Sequence, residues 1–191
     1  MQFAPKDALT RTVRGRSRPN ASMTNARNWQ MQFAPKDAYK RICMLEVNDK
    51  APDFTLIDDR GESFRLSEQA PEKVLLVFYP GDNTPVCTKQ LCDYRDGLEA
   101  FDDLGVKVVG ISHDGAESHR KFREKHDLPF TLLTDPEYEV AALYDSKGLL
   151  GMKRSVFLVD HSGIIRYLHI ESLSLFRRRR EEVLEAIENI N

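Results

Sequence analysis

Cys87 closes the segment Pro80-Gly81-Asp82-Asn83-Thr84-Pro85-Val86, which stands between the apolar run Val74 to Tyr79 and a helix-like stretch carrying a second thiol, Cys92. This order places one cysteine at a helix N-terminus. Backbone amides converge there and the helix dipole is positive, so the thiolate form of a cysteine gains over the thiol. A thiolate attacks and a thiol does not, so the segment reads as a nucleophile in waiting. Thr84, three residues earlier, carries a hydroxyl that can donate to or accept from a bound substrate atom and hold the attacking sulfur in line. It suits a plain helix cap as well. Pro80 and Pro85 fix backbone angles and remove competing N–H donors, and they equally end a strand and start a helix.

Positioning such a sulfur takes a rigid strand behind it and a helix after it. Strands are expected at residues 53–57, 62–66, 73–79, 106–112, 131–133, 155–160 and 164–169, and helices at 86–103, 115–126, 136–144 and 178–189. These ranges rest on amphipathic spacing and on breakers such as Gly105, Pro129 and Pro136. The alternation is that of an α/β fold with a mixed central sheet flanked by helices on both faces. Val74 through the Cys87 helix to Val109 should cross over between parallel strands. The first two strands form an N-terminal β-hairpin, and Asp160-His161-Ser162-Gly163 turns the last two back on each other.

On the helix after Pro80, Leu91, Tyr94, Leu98 and Phe101 fall within about 80° of one another, and Cys87 lies inside that arc. Cys87 therefore faces inward. Arg154 precedes the strand that begins at Ser155. If that strand runs antiparallel beside Val74 to Tyr79, the guanidinium reaches Cys87 and adds a fixed positive charge. Gln90, one turn after Cys87, is expected on an exposed face unless it has a task.

Together Pro80, Thr84 and Cys87 make the pattern Pro-x-x-x-Thr-x-x-Cys, which resembles the signature of the peroxiredoxins. The resemblance runs from about Met44 to Asn191 and implies the thioredoxin-like fold. It further implies that Arg154 completes the site, that Gln90 orients it, and that Cys87 attacks hydrogen peroxide and small organic hydroperoxides. Cys87-Thr-Lys-Gln-Leu-Cys92 is similar to the Q-type, or bacterioferritin comigratory protein, branch, whose resolving cysteine lies five residues after the attacking one. This implies a cycle in which Cys87 becomes a sulfenic acid, condenses with Cys92, and is recycled by thioredoxin or a similar dithiol. On an ideal helix the two α-carbons lie ~8.6 Å apart, beyond the roughly 7 Å that a disulfide tolerates. Oxidation must then unwind the helix locally, and Gly97, costing ~1 kcal/mol in a helix interior, eases this.

Composition bounds the alternatives. The 191 residues carry 28 Lys and Arg against 30 Asp and Glu, with 41% apolar residues, as an ordinary soluble domain does. No apolar run approaches the roughly 20 residues of a membrane span. Three cysteines do not suggest a disulfide framework, and a reducing compartment, the cytoplasm, is expected. Residues 1–43 hold nine basic side chains against Asp7 and Asp37, a net charge of +7, while the whole chain is −2. The remaining −9 lies on the folded part, which is unsuited to nucleic acid. Residues 1–8 and 31–38 share the same eight letters, an echo too short to build a repeat fold. Residues 1–43 are read as a disordered extension, with a composition that suits an organellar transit peptide or an upstream start, and 44–191 as the domain.

Cys43, beside the domain start, is read as a bystander thiol, and the histidines show no metal spacing with the cysteines, His119 and His126 lying along a partly exposed helix. No metal or other cofactor is expected. Arg177 to Arg180 read as a solvated face paired with Glu181 and Glu182, and Leu173, Leu175 and Phe176 as a core edge or dimer contact in a monomer or weak homodimer. Two other functions compete: a copper carrier, against which stands the lack of a third soft ligand, and a general disulfide oxidoreductase, which would use Cys-x-x-Cys.

Overall fold

In the computed structural model, residues 44–171 and 176–190 are described; Cys43, the extension before it, and Leu173 and Leu175 lie outside them. The strands are β1 Thr55–Asp58, β2 Ser63–Arg65, β3 Lys73–Phe78, β4 Val106–Ser112, β5 Thr131–Thr134, β6 Lys147–Gly148, β7 Gly151–Met152, β8 Ser155–Val159 and β9 Ile165–Ile170. The helices are α1 Pro85–Asp96, α2 Leu98–Asp103, α3 Ala116–His126, α4 Glu139–Leu143 and α5 Arg180–Glu188. Seven strands form one sheet in the order β2-β1-β5-β4-β3-β8-β9, and β6 and β7 pair separately. β3 runs parallel to β4, and β4 to β5. β8 lies antiparallel to β3, and β9 to β8. β1 and β2 make the expected N-terminal hairpin.

From Val74 onward β3 is apolar and buried, because both sheet faces are covered there. Its alternate residues feed two cores. Val74, Leu76 and Phe78 pack with Phe54, Tyr144 and Phe157 on one face. Leu75, Val77 and Tyr79 pack with Leu91, Tyr94, Phe101, Phe122, Val183 and Ile187 on the other, and Cys87 belongs to this second core. The Asp160 turn forms as expected: Asp160 Oδ1 accepts from the amides of Ser162 and Ile164, and Gly163 takes φ +76°.

Three expectations need correction. The helix read as continuous over 86–103 is two helices, hinged at Gly97, whose φ of −117° and ψ of 17° end α1 and begin α2. A Cβ at Gly97 would lie 1.9 Å from Cδ of Arg180, so the absent side chain makes room for the C-terminal segment. The arginine run is not only a solvated face. Arg178 and Arg180 do pair with Glu182 and Glu181, but Arg177 Nη1 also binds Asp93 Oδ2 at 2.8 Å, the same oxygen that accepts from the Arg180 amide at 3.1 Å. The run thus pins α1. Finally, the β6–β7 hairpin falls within 142–153, where no strand is expected; its strands are two residues each, too short for any period to register.

Candidate active site

β3 ends at Phe78, and its neighbour β8 begins at Ser155, which stands opposite Phe78 in the register. That register carries Arg154 to the end of β3, where Pro80 stops the strand and the chain turns into α1. The connecting loop turns at Asn83, whose φ of 57° is a conformation that Asn tolerates. Pro85 occupies the first helical position, and Thr84 is the N-cap residue by backbone geometry. The capping role considered for the Thr84 side chain is not seen: Oγ1 donates to the Gly81 carbonyl at 3.2 Å and no side chain caps the helix. No acidic residue lies in the first turn either, so nothing in α1 itself offsets the positive helix end at Cys87.

Arg154 is 2% exposed and Cys87 and Gln90 are 0% exposed. Arg154 Nη2 donates to Cys87 Sγ at 3.2 Å, and Nη1 donates to Gln90 Oε1 at 2.6 Å. Gln90 is therefore buried, contrary to the exposed position that its helix suggested, because the face bearing Cys87 one turn earlier is packed against the sheet. A guanidinium remains charged at any working pH. The sulfur accordingly sits between a buried cation and a helix N-terminus. Gln90 Nε2 in turn donates to Tyr94 Oη at 3.2 Å, and Tyr94 donates to the Arg178 carbonyl at 3.1 Å.

Cys92 lies on the same helix, half-buried at the margin of the core, and both cysteines are free thiols. Burial pushes the Cys92 thiol up, Asp96 acts in the same direction, and Arg95 opposes them. Cys92 is thus absent from the Arg154 cluster that gathers Cys87 and Gln90, as expected from its place around the helix. Cys87 itself is packed within the second core, between α1 and the sheet.

Behind the loop stands a polar group that the sequence did not announce. Asp82 accepts from Tyr79 Oη at 2.8 Å, from Ser118 Oγ at 2.7 Å and from His119 Nδ1 at 3.0 Å. His119 is wholly buried, which corrects its reading as partly exposed. Burial acts to raise the Asp82 carboxyl, but the pull of His119 beside it, with the hydrogen bonds from Ser118 and Tyr79, outweighs this and holds Asp82 below the usual carboxylate range. The Asp82 amide donates to Asp114 Oδ2 at 2.8 Å, and a Cβ on Gly81 would approach that same oxygen to 3.2 Å. The loop is thereby fastened to β4 and α3. A buried Asp and His, 37 residues apart, have no local signature.

The model of the AhpC/TSA family matches residues 47–168, most of the described chain. The chain belongs to the AhpC/TSA family. Peroxiredoxin Bcp of Bacillus subtilis is 42% identical over 127 residues, which cover 62% of this chain and 81% of the relative. The crystal structure of peroxidoxin BcpB from Mycobacterium tuberculosis superposes with a TM-score of 0.71 at 32% identity, over 77% of this chain and 99% of that one. Peroxiredoxin Q of Xanthomonas campestris superposes with a TM-score of 0.66 at 27% identity, over 71% and 90%. Within the family the chain is a Q-type peroxiredoxin with the thioredoxin-like fold, a peroxidase acting on hydroperoxides. Among the described residues no helix is long and apolar enough to cross a membrane.

Proposed function

We propose that Cys87 is the sulfur that reduces hydrogen peroxide and small organic hydroperoxides. The observation that carries this reading is the 3.2 Å contact between the buried Arg154 guanidinium and Cys87 Sγ. A fixed positive charge at that distance favours a thiolate over a thiol. The thiolate attacks the terminal oxygen of the hydroperoxide, the S–O bond forms as the O–O bond breaks, and Cys87 becomes a sulfenic acid. The other oxygen leaves with the electron pair and takes a proton to become water or an alcohol. Arg154 faces the charge that develops on it, and Thr84 with Pro80 bounds the approach to sulfur.

Cys92 then acts as the resolving thiol. Its thiolate attacks the Cys87 sulfur, a disulfide forms and hydroxide departs to become water. An external dithiol such as thioredoxin returns both thiols by exchange, and so supplies the two electrons that each hydroperoxide consumes. A sulfur-only cycle needs no resident cofactor, and it suits a reducing compartment such as the cytoplasm.

The test is stopped-flow reaction of the reduced protein with hydrogen peroxide. The wild type should consume one equivalent and lose two thiols, Cys92→Ser should consume one equivalent and stop at the sulfenic acid, and Cys87→Ser should consume none. Undiminished thioredoxin-dependent turnover by Cys92→Ser would remove that residue from the resolving role.

A further inference from the structure

We propose that Tyr94 is a positioning residue for peroxide reduction, acting through its hydroxyl to fix which end of the Gln90 amide faces Arg154. The proposal rests on the reading of Cys87 as the attacking sulfur. Cys87, Gln90 and Tyr94 recur at three and four residues along α1 and so share one face of the helix. Gln90 and Tyr94 are both fully buried, so water does not stand in for a missing partner.

The proton count gives the chain a direction. Arg154 has only donors, so the group that meets Nη1 at 2.6 Å has to be the amide oxygen of Gln90. The amide nitrogen then points the other way, to Tyr94 Oη at 3.2 Å. A phenol has one proton, and the Arg178 carbonyl, 3.1 Å away, takes it. The phenol oxygen therefore offers a lone pair to Gln90 Nε2, and each of the four hydrogen bonds from the Arg178 carbonyl back to Cys87 has one donor and one acceptor.

Turning the Gln90 amide over would set N–H against N–H at the guanidinium. With Tyr94 in place that arrangement also breaks the contact to the phenol oxygen, so the productive orientation is held from both ends. Without the hydroxyl, the Gln90 nitrogen is left buried and unpaired, and the amide is held from the Arg154 end alone. Arg154 then keeps a less firmly fixed acceptor, and its other nitrogen is less firmly aimed at Sγ. A backbone carbonyl of the segment preceding α5 thus sets the guanidinium, two side chains away.

The substitution Tyr94→Phe removes the hydroxyl alone, and the ring keeps its edge contact with Phe101, whose centroid lies 5.8 Å away. Its effect is compared in two backgrounds, native and Gln90→Glu. A carboxylate has two equivalent acceptor oxygens and no donor end to misplace. The readout is the second-order rate of Cys87 oxidation by hydrogen peroxide in the reduced protein. In the native background Y94F should slow this rate about threefold to tenfold, the range of one hydrogen bond of ordinary net strength. In the Q90E background it should change the rate by less than about twofold. An equal fractional loss in both backgrounds would make the hydroxyl a general structural support and overturn the proposal, as would an unchanged rate in the native background. A wild type that fails to react with peroxide would instead overturn the reading of Cys87, and this proposal with it.

Discussion

A guanidinium 3.2 Å from a sulfur is the shortest statement of what this site does. Replacing Arg154 with alanine removes both the charge beside the sulfur and the donor facing the departing oxygen, and should slow Cys87 oxidation by about a hundredfold, the scale of one lost electrostatic stabiliser. Lysine should restore only part of the rate, because a point charge cannot donate to Cys87 and Gln90 together as the planar fork does. Stopped-flow peroxide kinetics decide both; equal rates for Arg154→Lys and wild type would show that charge alone suffices. Cys92 makes an opposite demand. Burial pushes its thiol up, so the neutral form persists to higher pH than for a free cysteine, and the thiolate that the proposed resolving step needs is scarce near neutrality. Disulfide formation after a single peroxide turnover should therefore speed up by nearly tenfold per pH unit through about pH 8.5, the ordinary cysteine value. Quenched-flow thiol counting would show it, and a rate that levels off below that pH would contradict it.

At the scale of the element, α1 has two tasks that conflict. It holds Cys87 at its N-terminus, and it keeps Cys92 too far around the helix to bond. Hydrogen exchange should show the amides that follow Pro85 in α1 losing protection when the Cys87–Cys92 disulfide forms; equal protection in the two states would rule out unwinding. Asp93, next to Cys92, is held by Arg177 and by the Arg180 amide, so this restraint must yield first. Asp93→Asn should hasten disulfide formation about twofold to fivefold while leaving the peroxide step unchanged, in keeping with a part-exposed ion pair. Much of this element was readable in advance. The loop residues and Cys87 are contiguous, and the register of two apolar strands was enough to carry Arg154 to the sulfur. The hinge at Gly97 was not legible, because it answers to Arg180, 83 positions along the chain, and not to local propensity. Nor was the hydroxyl of Tyr94, since an inward tyrosine in an apolar stripe reads as core until its polar tip has partners.

For the whole molecule, the sheet presents its central strand to two cores and fastens the reactive loop from behind. Asp82, Tyr79, Ser118 and His119 join the loop, β3 and α3 in one buried network, assembled by tertiary packing from residues with no common period. Asp82→Ala would leave a histidine, a phenol and a serine facing a void, and should destabilise the fold by about 3 kcal/mol in denaturant unfolding. The pH dependence has a definite sign. A carboxyl held below its unfolded value contributes stability above that value and loses it as pH falls through the folded one. The stability contribution of Asp82 should thus be intact at neutral pH and fade only below about pH 4, and the gap between wild type and Asp82→Asn should narrow in acid. A gap that widens on acidification would contradict the assignment.

All three scales converge on the state of one sulfur. Alkylation of the reduced native protein by iodoacetamide at neutral pH, followed by quenching, unfolding and peptide mapping, reports it directly. Cys87 should react faster than Cys92 and faster than free cysteine, and Arg154→Ala should erase the advantage. Cys87 reacting no faster than free cysteine, with Arg154→Ala unchanged, would contradict the central claim that Arg154 and the start of α1 hold this sulfur ready to attack.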